Sequence, residues 1–191
     1  MKKIALLLVT TLFTVATYAQ TKYTVDTYHS FLNFSIGHMG ISFVDGKMDK
    51  YQGTLEMDDQ NITTAKFNFT IDVNSINTGI EMRDNHLKNA DFFEVSKYND
   101  IKFVSTSVKK AGKNKYKLNG DLTIKGITKP VTFDLVYGGL VKDDGQGNQK
   151  VGFQATTTID RTAFNVNYDP TGGAIAKDVK LVANLQFAKV K

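Results

Sequence analysis

The sequence predicts an all-β protein of about eight antiparallel strands in chain order, with one short helix between the third and fourth. Three observations carry this. Apolar and polar residues alternate in segment after segment, as in AKFNFTIDV (65–73), and period two gives a strand one dry face and one wet face. Turn signals such as AGKN (111–114) and DDGQGN (143–148) separate consecutive segments, which suits hairpins. A single stretch, TGIEMRDNHL (78–87), abandons the alternation.

The chain opens on MKKIALLLVTTLFTVATYAQ, two lysines followed by an apolar run and small residues up to Ala19. That order is the pattern of a secretory signal peptide. Cleavage is expected after Ala19, which leaves residues 20–191 as one domain. The apolar run is too short to span a bilayer comfortably. The chain has no cysteine, so neither a lipid-anchored lipoprotein nor a disulfide framework is expected, and an exported chain must rely on its core. The expected location is periplasmic or secreted.

The first two strands, at 22–36 and 47–57, alternate less regularly. In the first, Ser30, Leu32, Phe34, Ile36 and His38 share the dry parity. The third, at 65–73, sets Ala65, Phe67, Phe69, Ile71 and Val73 against Lys66, Asn68, Thr70 and Asp72. A helix follows at about 79–89, where Thr78 and Glu81 have the spacing of a capping box. The fourth strand lies at 101–108. The fifth presents Tyr116, Leu118, Gly120, Leu122 and Ile124, and the sixth Val131, Phe133, Leu135 and Tyr137. The seventh presents Val151, Phe153, Ala155, Thr157 and Ile159, and the eighth Val179, Leu181, Ala183, Leu185 and Phe187. Eight strands joined in sequence can close and so lose their edges. A barrel of that size is filled by side chains or holds one small ligand. A filled core or a sandwich fits the same pattern.

The leader holds two of the 24 basic residues and no acidic one, which leaves 22 against 19 and a net charge of +3. So mild a charge gives no argument for nucleic acid, which needs a clustered basic face. Lys109, Lys110, Lys113, Lys115 and Lys117 gather around Gly112. They read as a solvated hairpin tip or as a weak attraction to an anionic membrane surface.

Candidate chemistry is sparse. His29, His38 and His86 lack the close spacing of a metal site, so no metal is expected. Ser30, His86 and Asp84 suggest a hydrolase only loosely, since no G-x-S-x-G elbow accompanies them. PTGGA (170–174) is Gly-rich but precedes a strand, so it reads as a flexible loop rather than a phosphate cradle. Arg83 and His86, three apart, can share a helix face. Facing a barrel mouth, they could meet an anionic or polar head group. Alternatively Arg83 pairs with Asp84, Asp91 or Asp121 and locks the helix to the rim.

Four blocks together resemble the YceI-like family of exported, lipocalin-like, polyisoprenoid-binding proteins. YTVDTYHSFLNFSIGHMGISFVDGKM carries Asp26, His29, Ser30, Phe34, His38, Gly40, Val44 and Gly46 of its opening. SINTGIEMRDNHLKNADFFEVSKYNDIKF carries Ser75, Thr78, Gly79, Arg83, Asp84, His86, Leu87, Asp91, Phe92, Phe93 and Phe103. GDLTIKGITKPV (120–131) resembles a third block, and IDRTAFNV (159–166), with Arg161 and Phe164, a fourth. Tyr23 stands where the family often has Trp, Asn99 where Pro is common, and Asn165 where Gly is usual.

The resemblance implies an extended eight-stranded antiparallel barrel with a hydrophobic tunnel. It implies no catalytic residues and no cofactor beyond the bound ligand, an isoprenoid lipid or quinone. The expected partner is a long-chain isoprenoid lipid, such as a polyprenyl phosphate or a prenylated quinone, with transient membrane contact and no nucleic acid. On this reading Phe34, Phe67, Phe69, Leu118, Leu122, Phe133, Leu135, Phe153 and Leu181 line the tail, and His38, Arg83 and His86 address the head. Two other classes stay open: an enzyme, metal-dependent or not, acting on a lipid inside the barrel, and a filled barrel that serves envelope stress through partners.

Overall fold

The computed structural model describes residues 20–191; the leader expected over 1–19 lies outside the described residues. The expected first strand is two segments, β1 (Thr21–Val25) and β2 (Phe31–His38). The second is also two, β3 (Ser42–Met48) and β4 (Tyr51–Asp58). β5 (Asn61–Asp72) and the two-residue β6 (Ile76–Asn77) precede the helix α1 (Glu81–Leu87). Then come β7 (Asp100–Gly112), β8 (Lys115–Ile124), β9 (Ile127–Val141), β10 (Lys150–Asp160) and β11 (Ile175–Lys189).

Neighbours run β1–β4–β5–β7–β8–β9–β10–β11, and β11 returns to β1, so eight antiparallel staves close. β2 and β3 prolong the first two staves beyond β1 and β4: Val25 lies opposite Phe187 on β11 and Phe31 opposite Asn184. The break at 26–30 is a bonded corner. The Ser30 hydroxyl donates to the Gln186 carbonyl at 3.1 Å and accepts from the Gln186 N–H at 2.9 Å. His29 is turned outward there, its Nδ1 2.9 Å from Asp26 Oδ2. The inward parity switches across the break, from odd positions at Tyr23 and Val25 to even positions at Leu32, Phe34 and Ile36, so a single continuous strand cannot hold both halves.

The turns divide into two ends. Those at 59–60, 113–114 and 142–149 close one end, while 39–41, 73–99, 125–126 and 161–174 form the other. The five lysines around Gly112 are all exposed, on the hairpin arms and tip at the first end. That end is packed solid. Phe67, Phe153 and Phe187 meet edge to face with centroids 5.3–6.3 Å apart, a geometry favoured by the ring quadrupole. Below them the Tyr23 hydroxyl donates to Asp59 Oδ1, and Gln149 Nε2 donates to both Tyr23 and Asp59, each at 2.6 Å. Burial, then the neighbouring Asp59, push the Tyr23 phenol well above its ordinary pKa. The Tyr23 hydroxyl is thus engaged as both donor and acceptor.

The helix is shorter than expected and starts differently. Ile80 occupies its N-cap and makes no side-chain capping bond, so the Thr78–Glu81 capping box does not form. Thr78 turns instead to Asp84, to which its N–H and hydroxyl both donate. α1 and the loop after it lie across the end of the barrel opposite the lysine tip.

Candidate functional site

Above the packed floor the interior is hollow. A cavity of about 580 Å³ opens toward the α1 end, within the roughly 300–1,000 Å³ of ordinary ligand sites. Its wall is mainly apolar. Phe34, Phe67, Phe69, Leu118, Leu122, Phe133 and Leu181 line it. Leu135 and Phe153 do not; both are buried in the packed end. Their parity is inward as expected, but alternation reports the face and not the height along the barrel axis. Met48, Ile71, Ile76, Phe103, Ala155 and Ala183 also line the cavity.

The hollow persists because large rings lie flat on glycines. Phe34 faces Gly46 across β2 and β3, and Phe69 faces Gly53 across β4 and β5. A Cβ added at Gly46 would stand 2.3 Å from the Phe34 ring, and one at Gly53 2.5 Å from the Phe69 ring. Gly120, which interrupts its apolar row, is covered in the same way by Phe103, 2.4 Å from an added Cβ. Strand glycines at such close approaches are a known packing device.

The polar groups gather at the mouth. His38, Thr78, Arg83, His86 and Arg161 all border the cavity, brought together from β2, the α1 segment and the 161–175 loop. Arg83 makes none of the expected carboxylate pairs. Its Nε donates to Thr78 Oγ1 at 2.7 Å and its Nη2 to the Thr78 carbonyl at 2.9 Å, so it meets Asp84 only through the Thr78 hydroxyl. His86 packs edge to face on Phe92 and Tyr168, with Asp91 Oδ2 3.5 Å from Nε2. Phe92 is buried and Phe93 half-buried, and both fasten this segment onto the barrel.

Arg161 is the site residue whose role sequence reasoning missed. It is 5 % exposed, and its guanidinium donates to the carbonyls of Val166, Asp169, Ile175 and Ala176 at 2.6–2.9 Å. Burial lowers its pKa. PTGGA is therefore part of a tied loop. Asp169 adds to the tie, accepting from the Thr171 hydroxyl and the Ala174 and Ile175 N–H groups. Asn165, at φ 57°, takes the left-handed conformation that ends the turn at 161–164; Asn tolerates it better than most residues, which accounts for its standing in for the usual Gly. Beyond its place in the IDRTAFNV block, the sequence signal for Arg161 was an arginine directly before the Thr-Ala-Phe turn.

Ser30 is committed to the Gln186 backbone and His86 to the aromatic cluster, so the loosely imagined hydrolase grouping is not assembled. Among the described residues no three His, Cys, Asp or Glu side chains gather as a metal-ion site.

A closed antiparallel barrel with an apolar chamber and charged and imidazole groups gathered at one mouth defines a class of ligand-holding barrels. The YceI-like domain model matches residues 23–187, and the chain belongs to the YceI-like family. A UPF0312 protein of Staphylococcus aureus is 41% identical over 172 residues, covering 88% of this chain and 98% of that one. The crystal structure of the Campylobacter jejuni YceI protein superposes with a TM-score of 0.74 at 32% identity, covering 81% of this chain and 90% of that one. A polyisoprenoid-binding domain from Saccharophagus degradans, implicated in plant cell wall breakdown, shares the fold at a TM-score of 0.70 and 17% identity, over 88% and 98% of the two chains.

Proposed function

We infer that this protein binds, and thereby shields or carries, a long-chain amphiphilic lipid of the polyisoprenoid type in the cell envelope after export. The observation that carries the reading is the apolar chamber with its charged and imidazole groups gathered at the mouth. Burial of each CH₂ is worth ~0.8 kcal/mol, so a long tail gains by leaving water for this wall. The family, and the Saccharophagus domain's described ligand, support an isoprenoid tail, either of a polyprenyl phosphate or of a prenylated quinone. His38, Arg83 and His86 are the head-group contacts in this reading. No step of it is catalytic, and it needs no cofactor or metal.

Contact with a membrane belongs to the same reading. Ile41, Phe43 and Met82 are 86%, 77% and 81% exposed, with Met39 and Ile80 beside them in the chain. They follow directly on cavity-lining residues of β2, β3 and the α1 segment. β6 pairs antiparallel with the Lys47–Met48 end of β3, so the chain leaves β6 heading along β3 toward the 39–41 turn before α1 begins. An apolar rim around the mouth suits delivery of a tail straight from a bilayer. The lysine tip at the other end does not take part.

Mass spectrometry of an organic extract of the purified protein tests the function. One class of long-chain isoprenoid, near one molecule per protein, is the expected result. Protein that carries no lipid and takes none up from vesicles would refute the reading.

A further inference from the structure

We propose that Gly46, Gly53 and Gly120 are specificity-determining positions of the chamber: they set a bore wide enough for a methyl-branched chain. The proposal rests on the lipid-binding reading and names what within the wall selects the tail. Phe69 and Phe103 face each other directly across β5 and β7. Two such rings would ordinarily pack on one another. Here each turns away, Phe69 onto Gly53 of β4 and Phe103 onto Gly120 of β8, and both line the cavity. Phe34 lies down on Gly46 in the same manner. On the barrel wall opposite the β5–β7 seam, Ala155 and Ala183 are paired across β10 and β11 and also line the cavity. Small residues thus widen both sides of the chamber.

A prenyl chain carries a methyl branch on every fourth carbon and is thicker than an unbranched alkyl chain. An alanine at Gly46 or Gly53 forces its ring off the strand, because contacts of 2.3 and 2.5 Å cannot persist. A close-packed wall leaves the ring only the lumen to enter. The thinner chain still passes; the branched one does not. Gly120 is less useful as a probe, since an added Cβ there also meets the Val104 carbonyl at 2.6 Å.

The experiment measures two dissociation constants for each variant, by displacement of an apolar fluorescent dye. One probe is an all-trans tetraprenyl alcohol, and the other is the unbranched alcohol of equal carbon count. In G46A and in G53A the prenyl probe is expected to weaken about tenfold, the scale on which a pocket reads a single methyl-sized misfit, while the unbranched probe changes little. G46A/F34L, which removes the displaced ring, is expected to restore prenyl binding. Folded alanine variants that bind both probes as the wild type does, or that lose both equally, would overturn the proposal. A wild type that takes neither probe overturns instead the lipid-binding reading beneath it. Should the alanine variants not fold, F69L with Gly53 retained shifts the same ratio the other way, in favour of the prenyl probe; an unchanged ratio there would also overturn it.

Discussion

The two ends of this barrel are built from the same kind of residue and do opposite things. At the closed end Phe67, Phe153 and Phe187 interlock edge to face, and Phe67 forms the floor of the chamber above them. Toward the mouth Phe34, Phe69 and Phe103 point inward just as regularly, yet the chamber is hollow. The difference lies beneath the rings. Each mouth-side ring has a glycine on a neighbouring strand to lie upon; the closed-end rings rest on other rings, on one another and on Tyr137 and Phe69. Whether an inward aromatic fills a barrel or panels it depends on its cross-strand neighbour.

That comparison can be broken most severely at Phe187, which is fully buried. Phe187→Ala is expected to cost about 3–5 kcal/mol, the range for large-to-small core changes. Phe34→Ala, beside a space already open, leaves little new enclosed cavity and is expected to cost clearly less than Phe187→Ala. Urea midpoints of the two variants test this, and equal losses would erase the distinction between the ends.

Arg161→Met comes next. It strips four carbonyls of their donor, and unsatisfied buried acceptors cost about 1–3 kcal/mol each when water cannot replace the donor. With partial access for water at the loop, a net loss of about 3 kcal/mol is expected. Early proteolytic cleavage within 165–175 would accompany it.

Arg83→Ala should affect the mouth rather than the floor. Binding of an anionic-headed prenyl lipid is expected to weaken about tenfold or more, with the melting temperature lowered by a few degrees, as for loss of about 1 kcal/mol. A large fall in melting temperature with unchanged affinity would assign Arg83 to holding Thr78 alone.

The smallest effect concerns acid. The Ile175 N–H, then the Thr171 hydroxyl and the Ala174 N–H, hold the Asp169 carboxyl far below the usual carboxylate range. A depressed folded pKa means that the bound loop is favoured above the unfolded value, near pH 4, and loses that support as pH falls through the folded one. Protection factors for amide exchange at Ala174 and Ile175, taken relative to the intrinsic rate at each pH, should therefore stay flat from neutrality to about pH 4 and fall below it. A fall in protection between pH 7 and 5 would place the controlling group elsewhere.

The strands, their inward faces and the aromatic segment at 83–93 were legible in the chain because period-two alternation is a local property. Residues 116–124 and 179–187 needed nothing beyond their own neighbours to be read. Four things required the tertiary structure. The breaks at 26–30 and 49–50 depend on where β11 and β5 pair. The height of Leu135 and Phe153 depends on register between strands far apart in sequence. The placing of Gly46, Gly53 and Gly120 beneath three rings, and the binding of Arg161 to its own loop, arise only when the barrel closes. A strand's sequence determines which way each side chain points. What it meets there is set by partners that only folding supplies, and here that decided between a solid core and a chamber.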